Sequence, residues 1–268
     1  MLEEQTVQRG GDYASAGARA AGAFRFAVGE QVRVITHPAR PLVTVTARWR
    51  GQAFEDVYDQ NIYAVSGFVT RQREPNLAGD GFVSLSLEAS SDWQMTGRGT
   101  FRRVGPDTVE SEGGPGIWWY TRKRFADFVL FVDWRVSRSE DNSGVFVRIP
   151  ALGSDDPEND WRPAVAEGYE IQIDERGVDP ATGRSGSARH LTGAVYALAP
   201  AHLVEALPPG CWRCFGIEAC GDRIEVRLNG VVVSTLVGGT RSHAGYVGLQ
   251  VHHPGARVRF RNLQIMPL

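Results

Sequence analysis

Cysteine is scarce in this 268-residue chain: Cys211, Cys214 and Cys220 are the only three. A disulfide framework needs an even, dispersed set. A structural zinc site needs about four ligands, and Cys211-Trp212-Arg213-Cys214 has no second C-x-x-C to complete one. A thioredoxin-like reading wants a βαβ context, which the pattern lacks. The pair therefore reads as free thiols at the start of a strand. Long hydrophobic runs are also missing, and none approaches the roughly 18 residues of a membrane span. Residues 1–22 lack the apolar centre of a signal peptide. Rich in Gly, Ala, Arg and acidic residues, they read as a disordered leader, which makes the chain cytoplasmic by expectation. Charge of one sign is absent too: 29 Lys and Arg face 31 Asp and Glu, a net charge of −2. That balance points to neither nucleic acid nor a membrane surface. There is no G-x-S-x-G elbow, P-loop, H-E-x-x-H or dinucleotide fingerprint. Gly113-Gly114-Pro115-Gly116 opens onto Ile117-Trp118-Trp119-Tyr120, a strand pattern, so it predicts a tight turn rather than a phosphate cradle. Nothing in the pattern fixes an oligomeric state.

Helical periodicity is almost missing, and apolar alternation takes its place. Strands are predicted over 24–35, 42–49, 61–70, 81–88, 108–112, 117–121, 128–136, 144–149, 168–174, 192–196, 212–219, 223–228, 231–236, 245–252 and 257–265. Asn142-Ser143-Gly144, Cys220-Gly221-Asp222 and Asn229-Gly230 are turn signals between them. Asn229-Gly230 lies between two alternating runs and predicts a hairpin. Only Ala201 to Leu207 has room for a helical turn or two. Many short strands with frequent turns imply an all-β sandwich or barrel. The polar stretch from Arg71 to Gly81, broken by Pro75 and two glycines, is the best boundary. It divides a small all-β unit over 23–72, similar to an SH3-like barrel, from a β-sandwich over 82–268. Long loops at 151–166, carrying Trp161, and at 175–191 are candidate lids or binding loops.

Within this alternation one strand is unusual. In Gly168-Tyr169-Glu170-Ile171-Gln172-Ile173-Asp174, the residues Tyr169, Ile171 and Ile173 share one face, and Glu170, Gln172 and Asp174 share the other, about 7 Å apart. A row of acids and amides resembles the floor of a polar pocket more than a solvated face. Phe146 and Arg148 alternate with Val145, Val147 and Ile149. Tyr246, Gln250 and His252 alternate with Val247, Leu249 and Val251. If these strands are neighbours, one sheet face holds Arg148, Glu170, Gln172, Asp174, Gln250 and His252, groups that suit a sugar, with Trp118, Trp119, Tyr120 and Trp161 available to stack on it. By contrast, Arg223, Glu225 and Arg227, like Arg257, Arg259 and Arg261, have the composition of a solvated face. Glu170 and Asp174 are about 13 Å apart along their strand, too far for the carboxylate pair of a retaining or inverting glycosidase. Either of them with Glu112 from another strand remains open. His252 is a candidate base near neutral pH. The Asp, Glu, His and Gln set is also compatible with a divalent cation, although no ligand spacing specifies one and no cofactor is called for.

From about Trp93 to Leu268 the sequence resembles the 3-keto-disaccharide hydrolase family. The resemblance is carried in order by Asp92-Trp93-Gln94-Met95-Thr96-Gly97, Ser111-Glu112-Gly113-Gly114-Pro115-Gly116 through Trp119-Tyr120, and Phe125-Ala126-Asp127-Phe128-Val129-Leu130. Asn142-Ser143-Gly144-Val145-Phe146-Val147-Arg148, the strand from Gly168 to Asp174 and Thr192-Gly193-Ala194-Val195-Tyr196 follow. Leu228-Asn229-Gly230, Gly248-Leu249-Gln250-Val251-His252 and Phe260-Arg261-Asn262-Leu263 complete it. It implies a concanavalin A-like jelly roll with the site on the concave sheet, and activity on glycosides oxidised to a ketone at C3. The ketone acidifies the C2 proton, a base removes it, the enolate expels the C1 substituent, and water addition completes a net hydrolysis. Such a site needs a base, an enolate stabiliser and a leaving-group acid. On this resemblance Glu170, His252, Asp174 and Arg148 are the catalytic candidates, with Arg148 or a metal as enolate stabiliser. Glu112, Trp118, Gln172, Gln250 and Tyr196 are the substrate-binding candidates. The chain departs from its relatives at Trp212-Arg213, where they usually have Trp-Asn. The alternatives to an enzyme are a non-catalytic carbohydrate-binding module on the same sandwich and an interaction domain with an SH3-like unit.

Overall fold

The computed structural model describes residues 81–153, 155–202 and 208–268, together with the backbone of three strands nearer the N-terminus. Those three are β1 (Glu3–Gln8), β2 (Gln31–His37) and β3 (Arg40–Arg48), an antiparallel sheet in the order β1-β2-β3. β1 falls inside the stretch read as a leader. Its sequence, Glu-Glu-Gln-Thr-Val-Gln, has too little apolar alternation to announce a strand, and its partner lies more than twenty residues away. The strand expected over 61–70, and positions 203–207 of the helical turn expected from Ala201 to Leu207, lie outside the described residues. Among the described residues no helix is long and apolar enough to cross a membrane.

The larger unit begins with β4 (Val83–Ser84), β5 (Trp93–Gly97), β6 (Thr100–Gly105), β7 (Thr108–Glu112) and β8 (Gly116–Tyr120). β9 (Phe128–Val136), β10 (Asn142–Ile149), the short helix α1 (Arg162–Glu167) and β11 (Tyr169–Asp174) follow. β12 (Arg213–Cys220), β13 (Arg223–Leu228), β14 (Val231–Leu236), β15 (Tyr246–Val251) and β16 (Val258–Pro267) close the chain. They form a five-stranded sheet, β11-β10-β15-β8-β5, and a larger sheet, β14-β13-β12-β9-β16-β7-β6, with β4 added to β16. Every pairing in both sheets is antiparallel. This is the concanavalin A-like sandwich.

The sheets meet through the apolar halves of their alternating strands. Val145, Val147, Ile171, Ile173, Val247 and Leu249 of the small sheet share one core with Leu130, Val132, Trp134, Phe215, Ile217 and Phe260 of the large one. Each fully buried aliphatic or aromatic side chain contributes about 1.5–3 kcal/mol, which is why strand parity is set so firmly here. The Asn229-Gly230 hairpin between β13 and β14 is built as expected. Both residues have positive φ, 50° and 84°, the requirement of a two-residue type I′ turn.

Three local expectations are corrected, and two strands were not foreseen. Residues 192–196 form no strand: Gly193, at φ 88°, turns the chain, although its backbone still bonds along the edge of β11 through Gln172 N–H to Ala194 and Gly193 N–H to Gln172. Asn142-Ser143-Gly144 is not a turn but the first part of β10. Of 81–88 only Val83–Ser84 pairs. β5 and β6 escape the alternation reading because β5 is short and ends in Gly97, and β6 is a mostly exposed edge strand with adjacent Arg102 and Arg103.

Candidate functional site

The outer face of the small sheet is defined by register. Glu170 lies opposite Phe146, Gln172 opposite Gly144 and Asp174 opposite Asn142 on β10. Phe146 lies opposite Gly248 on β15, so Gln250 continues the row, and Gln250 lies opposite Ile117 on β8. Chemistry divides this face in two. At one end Ile117, Trp119, Phe146, Ile149, Leu152 and Ala164 form a second apolar cluster, roofed by α1 and the segment before it. Thr96 pins that segment by donating to the Gly153 carbonyl at 2.8 Å while accepting from Trp119 Nε1 at 3.2 Å. Arg98 and Glu158 form an ion pair. The other end is polar, and holds Glu170, Gln172, Asp174, Asn142 and Gln250.

Glu170 is buried. Its carboxyl lies over Gly144: a Cβ on that glycine would come within 2.5 Å of Glu170 Oε1. No other residue leaves this space. Gln172, with its amide nitrogen turned toward Ser143 and Glu170, donates to the Ser143 carbonyl at 3.1 Å and to Glu170 Oε1 at 3.2 Å. Burial pushes the Glu170 carboxyl up to about 8, against the opposing pull of the Gln250 amide and the Arg241 guanidinium. At neutral pH it is therefore a carboxylic acid. Tyr196 stands beside it, its N–H bonded to the Glu170 carbonyl at 2.8 Å. Burial first, and then the Glu170, Asp179 and Asp174 carboxylates, raise its hydroxyl.

Asp174 is fully buried and committed. Its Oδ1 accepts from Arg176 N–H at 2.9 Å, and its Oδ2 accepts from Val178 N–H at 3.0 Å and Asn142 Nδ2 at 3.2 Å. It braces the start of the 175–191 loop and orients Asn142. His252 follows β15 at the polar end. It is open to solvent on one side, yet the protein around the rest of its ring and the neighbouring His253 push its imidazole down to about 4, against the pull of Asp174. The Nδ1 atoms of His252 and His253 are 2.8 Å apart, so one ring donates and the other accepts. The turn through Gly113 and Gly114, at φ 79° and 118°, packs against Val251 and His252.

Three predicted site residues lie elsewhere. Arg148 follows a register shift between Phe146 and Ile149 and has φ 54°. The bulge reverses its parity. Ile149 takes the outer side, and the Arg148 guanidinium bonds the Ala126 carbonyl at 2.8 Å, the Gly221 carbonyl at 2.6 Å and Asp127 at 3.0 Å. It is a buried tie between loops. Glu112 belongs to the large sheet, where it pairs with Arg257 at 3.0 Å. Trp118 points into the main core, stacked on Trp93 at 4.6 Å and Phe101 at 5.2 Å; Trp119 is the one that faces outward. Conversely, sequence reasoning missed Asn142, hidden inside a turn signal, and the role of Gly144.

Arg213, at the departure from the family pattern, is buried, contacts Glu175 at 3.4 Å and stacks on Trp134 at 5.0 Å. Cys211 is buried, Cys214 half-buried and Cys220 exposed. Among the described residues no three His, Cys, Asp or Glu side chains come together as a metal-binding group.

A family model described as the 3-keto-alpha-glucoside-1,2-lyase-like domain matches residues 81–266. Two solved structures from Parabacteroides distasonis ATCC 8503, each provisionally named a glycosyl hydrolase, are similar in fold. One is 19% identical, covers 71% of this chain and 95% of its own, and has a TM-score of 0.57. The other is 21% identical, covers 70% and 99%, and has a TM-score of 0.55. At these identities the likeness speaks for the sandwich alone. No curated protein matches the chain.

Proposed function

The chain belongs to the family of the 3-keto-alpha-glucoside-1,2-lyase-like domain, and from that premise we propose that it cleaves glycosides carrying a ketone at C3. A carbohydrate-directed, glycoside hydrolase-like role is the coarser statement that membership supports. The observation that carries the finer one is Glu170, a carboxyl kept protonated by burial on the polar half of the outer face. The second carboxylate of its strand, Asp174, is committed to three structural hydrogen bonds, an arrangement that suits a reaction needing one neutral donor.

In this reading Glu170 donates a hydrogen bond to the C3 carbonyl oxygen, the role that the displaced Arg148 leaves open. A carboxylic acid kept neutral in an apolar site is a known way to stabilise an enolate at neutral pH. His252, neutral above about pH 4, takes the C2 proton, and the C–H pair becomes the C2–C3 double bond of the enolate. The enolate then reforms the ketone and expels the C1 oxygen, which takes a proton, leaving a C1–C2 double bond. Water adding across that bond gives the 3-keto sugar and the free alcohol. A base of such low pKa is weak, so most of the barrier reduction falls to the donor side. Tyr196, beside Glu170, and Gln172 complete the polar lining.

The test compares turnover of a 3-keto-glucoside with that of its unoxidised parent. The oxidised compound is expected to be cleaved and the parent not. Replacing Glu170 or His252 by Ala should lower the rate by about 10²-fold or more. Equal rates on the two compounds would remove the reading. Binding of glycosides without turnover of any oxidised one would favour a carbohydrate-binding module.

A further inference from the structure

Two buried amides on the polar half of the face each have an oxygen with no hydrogen-bond partner, Asn142 Oδ1 and Gln250 Oε1. Both side chains belong to residues only 9% exposed. A buried acceptor left without a partner costs about 1–3 kcal/mol, so such atoms call for an explanation. Their orientation is imposed. The Asn142 amide nitrogen donates to Asp174 Oδ2 at 3.2 Å, and the Gln250 amide is a hydrogen-bond partner of the Glu170 carboxyl. The Asp174 carboxylate and the Glu170 carboxyl hold the N–H sides, and the carbonyl sides are left over.

Their placement is equally specific. Continuing the β10–β15 register one step from Val145 opposite Leu249 sets Gly144 opposite Gln250. Asn142 is two residues along β10 from the same glycine. The two acceptors are therefore diagonal neighbours, about 7–8 Å apart at their bases, with the Glu170 carboxyl lying over Gly144, the residue adjacent to both. Ser143 fixes the backbone there by donating to the Gln250 carbonyl at 2.7 Å. The resulting pattern is one donor flanked by two acceptors. A pyranose carbon bearing a carbonyl, with a hydroxyl on each neighbouring carbon, presents the complement: an acceptor flanked by two donors.

We propose that Asn142 Oδ1 and Gln250 Oε1 each accept a hydrogen bond from one of the two hydroxyls that flank the C3 carbonyl, and so make the site selective for rings in which both the C2 and C4 hydroxyls are present and equatorial. The inference rests on the sugar reading above but concerns recognition, not the fate of the C1 bond, so it is tested by binding. The probes are a 3-keto C-glucoside, which has no exocyclic C1 oxygen to expel, its 2-deoxy and 4-deoxy analogues, and its 4-epimer, titrated calorimetrically against the full chain. The parent should bind, and each of the other three should bind roughly 10- to 100-fold more weakly. Asn142→Leu and Gln250→Leu should each weaken the parent by a similar factor. Each should also become indifferent to loss of one hydroxyl, a different one for each variant, while staying sensitive to loss of the other. The deoxy series on the unaltered protein keeps the test valid if a variant does not fold. Parent and deoxy sugars binding equally well, or variants that keep full sensitivity to both hydroxyls, would overturn the inference and leave the sugar reading standing. Failure of the unaltered protein to bind any of the four would remove both.

Discussion

At the scale of single residues the account turns on a proton. Glu170 is held as an acid by burial, and its consequences for pH are signed. Its carboxyl titrates near the usual 4.5 in the unfolded chain and near 8 in the folded one. Between those values the folded state binds more protons than the unfolded, so stability falls as pH rises through that window and levels off above about 8. Glu170→Gln should flatten this part of the stability curve, as read by denaturant unfolding from pH 5 to 9. For turnover, the acid form should be lost on the alkaline side, giving a limb in kcat/KM near pH 8 that disappears in Glu170→Gln. His252, lowered to about 4, sets the acid limb near that value. A kcat/KM profile still rising through pH 9 would contradict the assignment of Glu170. Gly144 belongs to the same argument. Gly144→Ala puts a methyl group where the carboxyl lies and should cost roughly 1–3 kcal/mol of stability or displace Glu170. In either case turnover should fall sharply, although residue 144 itself offers no chemical group.

At the scale of elements, Arg148 shows how one bulge redirects a side chain. Its guanidinium ties the loop before β9 to the β12–β13 turn. Arg148→Met should lower stability by about 2–4 kcal/mol, seen as a lower denaturant midpoint, while leaving ligand affinity close to unaltered at a permissive temperature. A loss of affinity with stability intact would return Arg148 to the site. The same residue marks the limit of what the sequence makes legible. Alternation of Tyr169, Ile171 and Ile173 with Glu170, Gln172 and Asp174 was enough to place that row on one face, because burial of the apolar half enforces parity. Gln250 was legible on the same ground. Arg148 was not, because a bulge leaves no trace in composition. Trp118 and Trp119 were not distinguishable, because both phases of Ile117-Trp118-Trp119-Tyr120 are apolar. Glu112 was misplaced because neighbours in sequence across the Gly113–Gly114 turn belong to different sheets. Asn142 was hidden because Asn-Ser-Gly reads as a turn wherever it occurs, and only the space demanded by Glu170 explains the glycine inside a strand.

At the scale of the whole molecule, the sandwich works by asymmetry. One sheet buries its inner face in the common core and opens its outer face to two uses. The apolar half is sealed by α1 and the segment ending at Trp161, and the polar half is left lined by amides and acids around one neutral carboxyl. The large sheet carries its charge in ion pairs such as that of Arg259 with the buried Glu110 at 2.6 Å. The central claim is that a C3 ketone lets this face remove the C2 proton. It is tested most directly by incubating a 3-keto-glucoside with the protein in deuterium oxide and reading C2 by nuclear magnetic resonance. The account predicts deuterium at C2 of the released 3-keto sugar, none at C2 of the unoxidised glucoside, and loss of the exchange in His252→Ala. Cleavage of the 3-keto-glucoside with C2 fully protonated would contradict it.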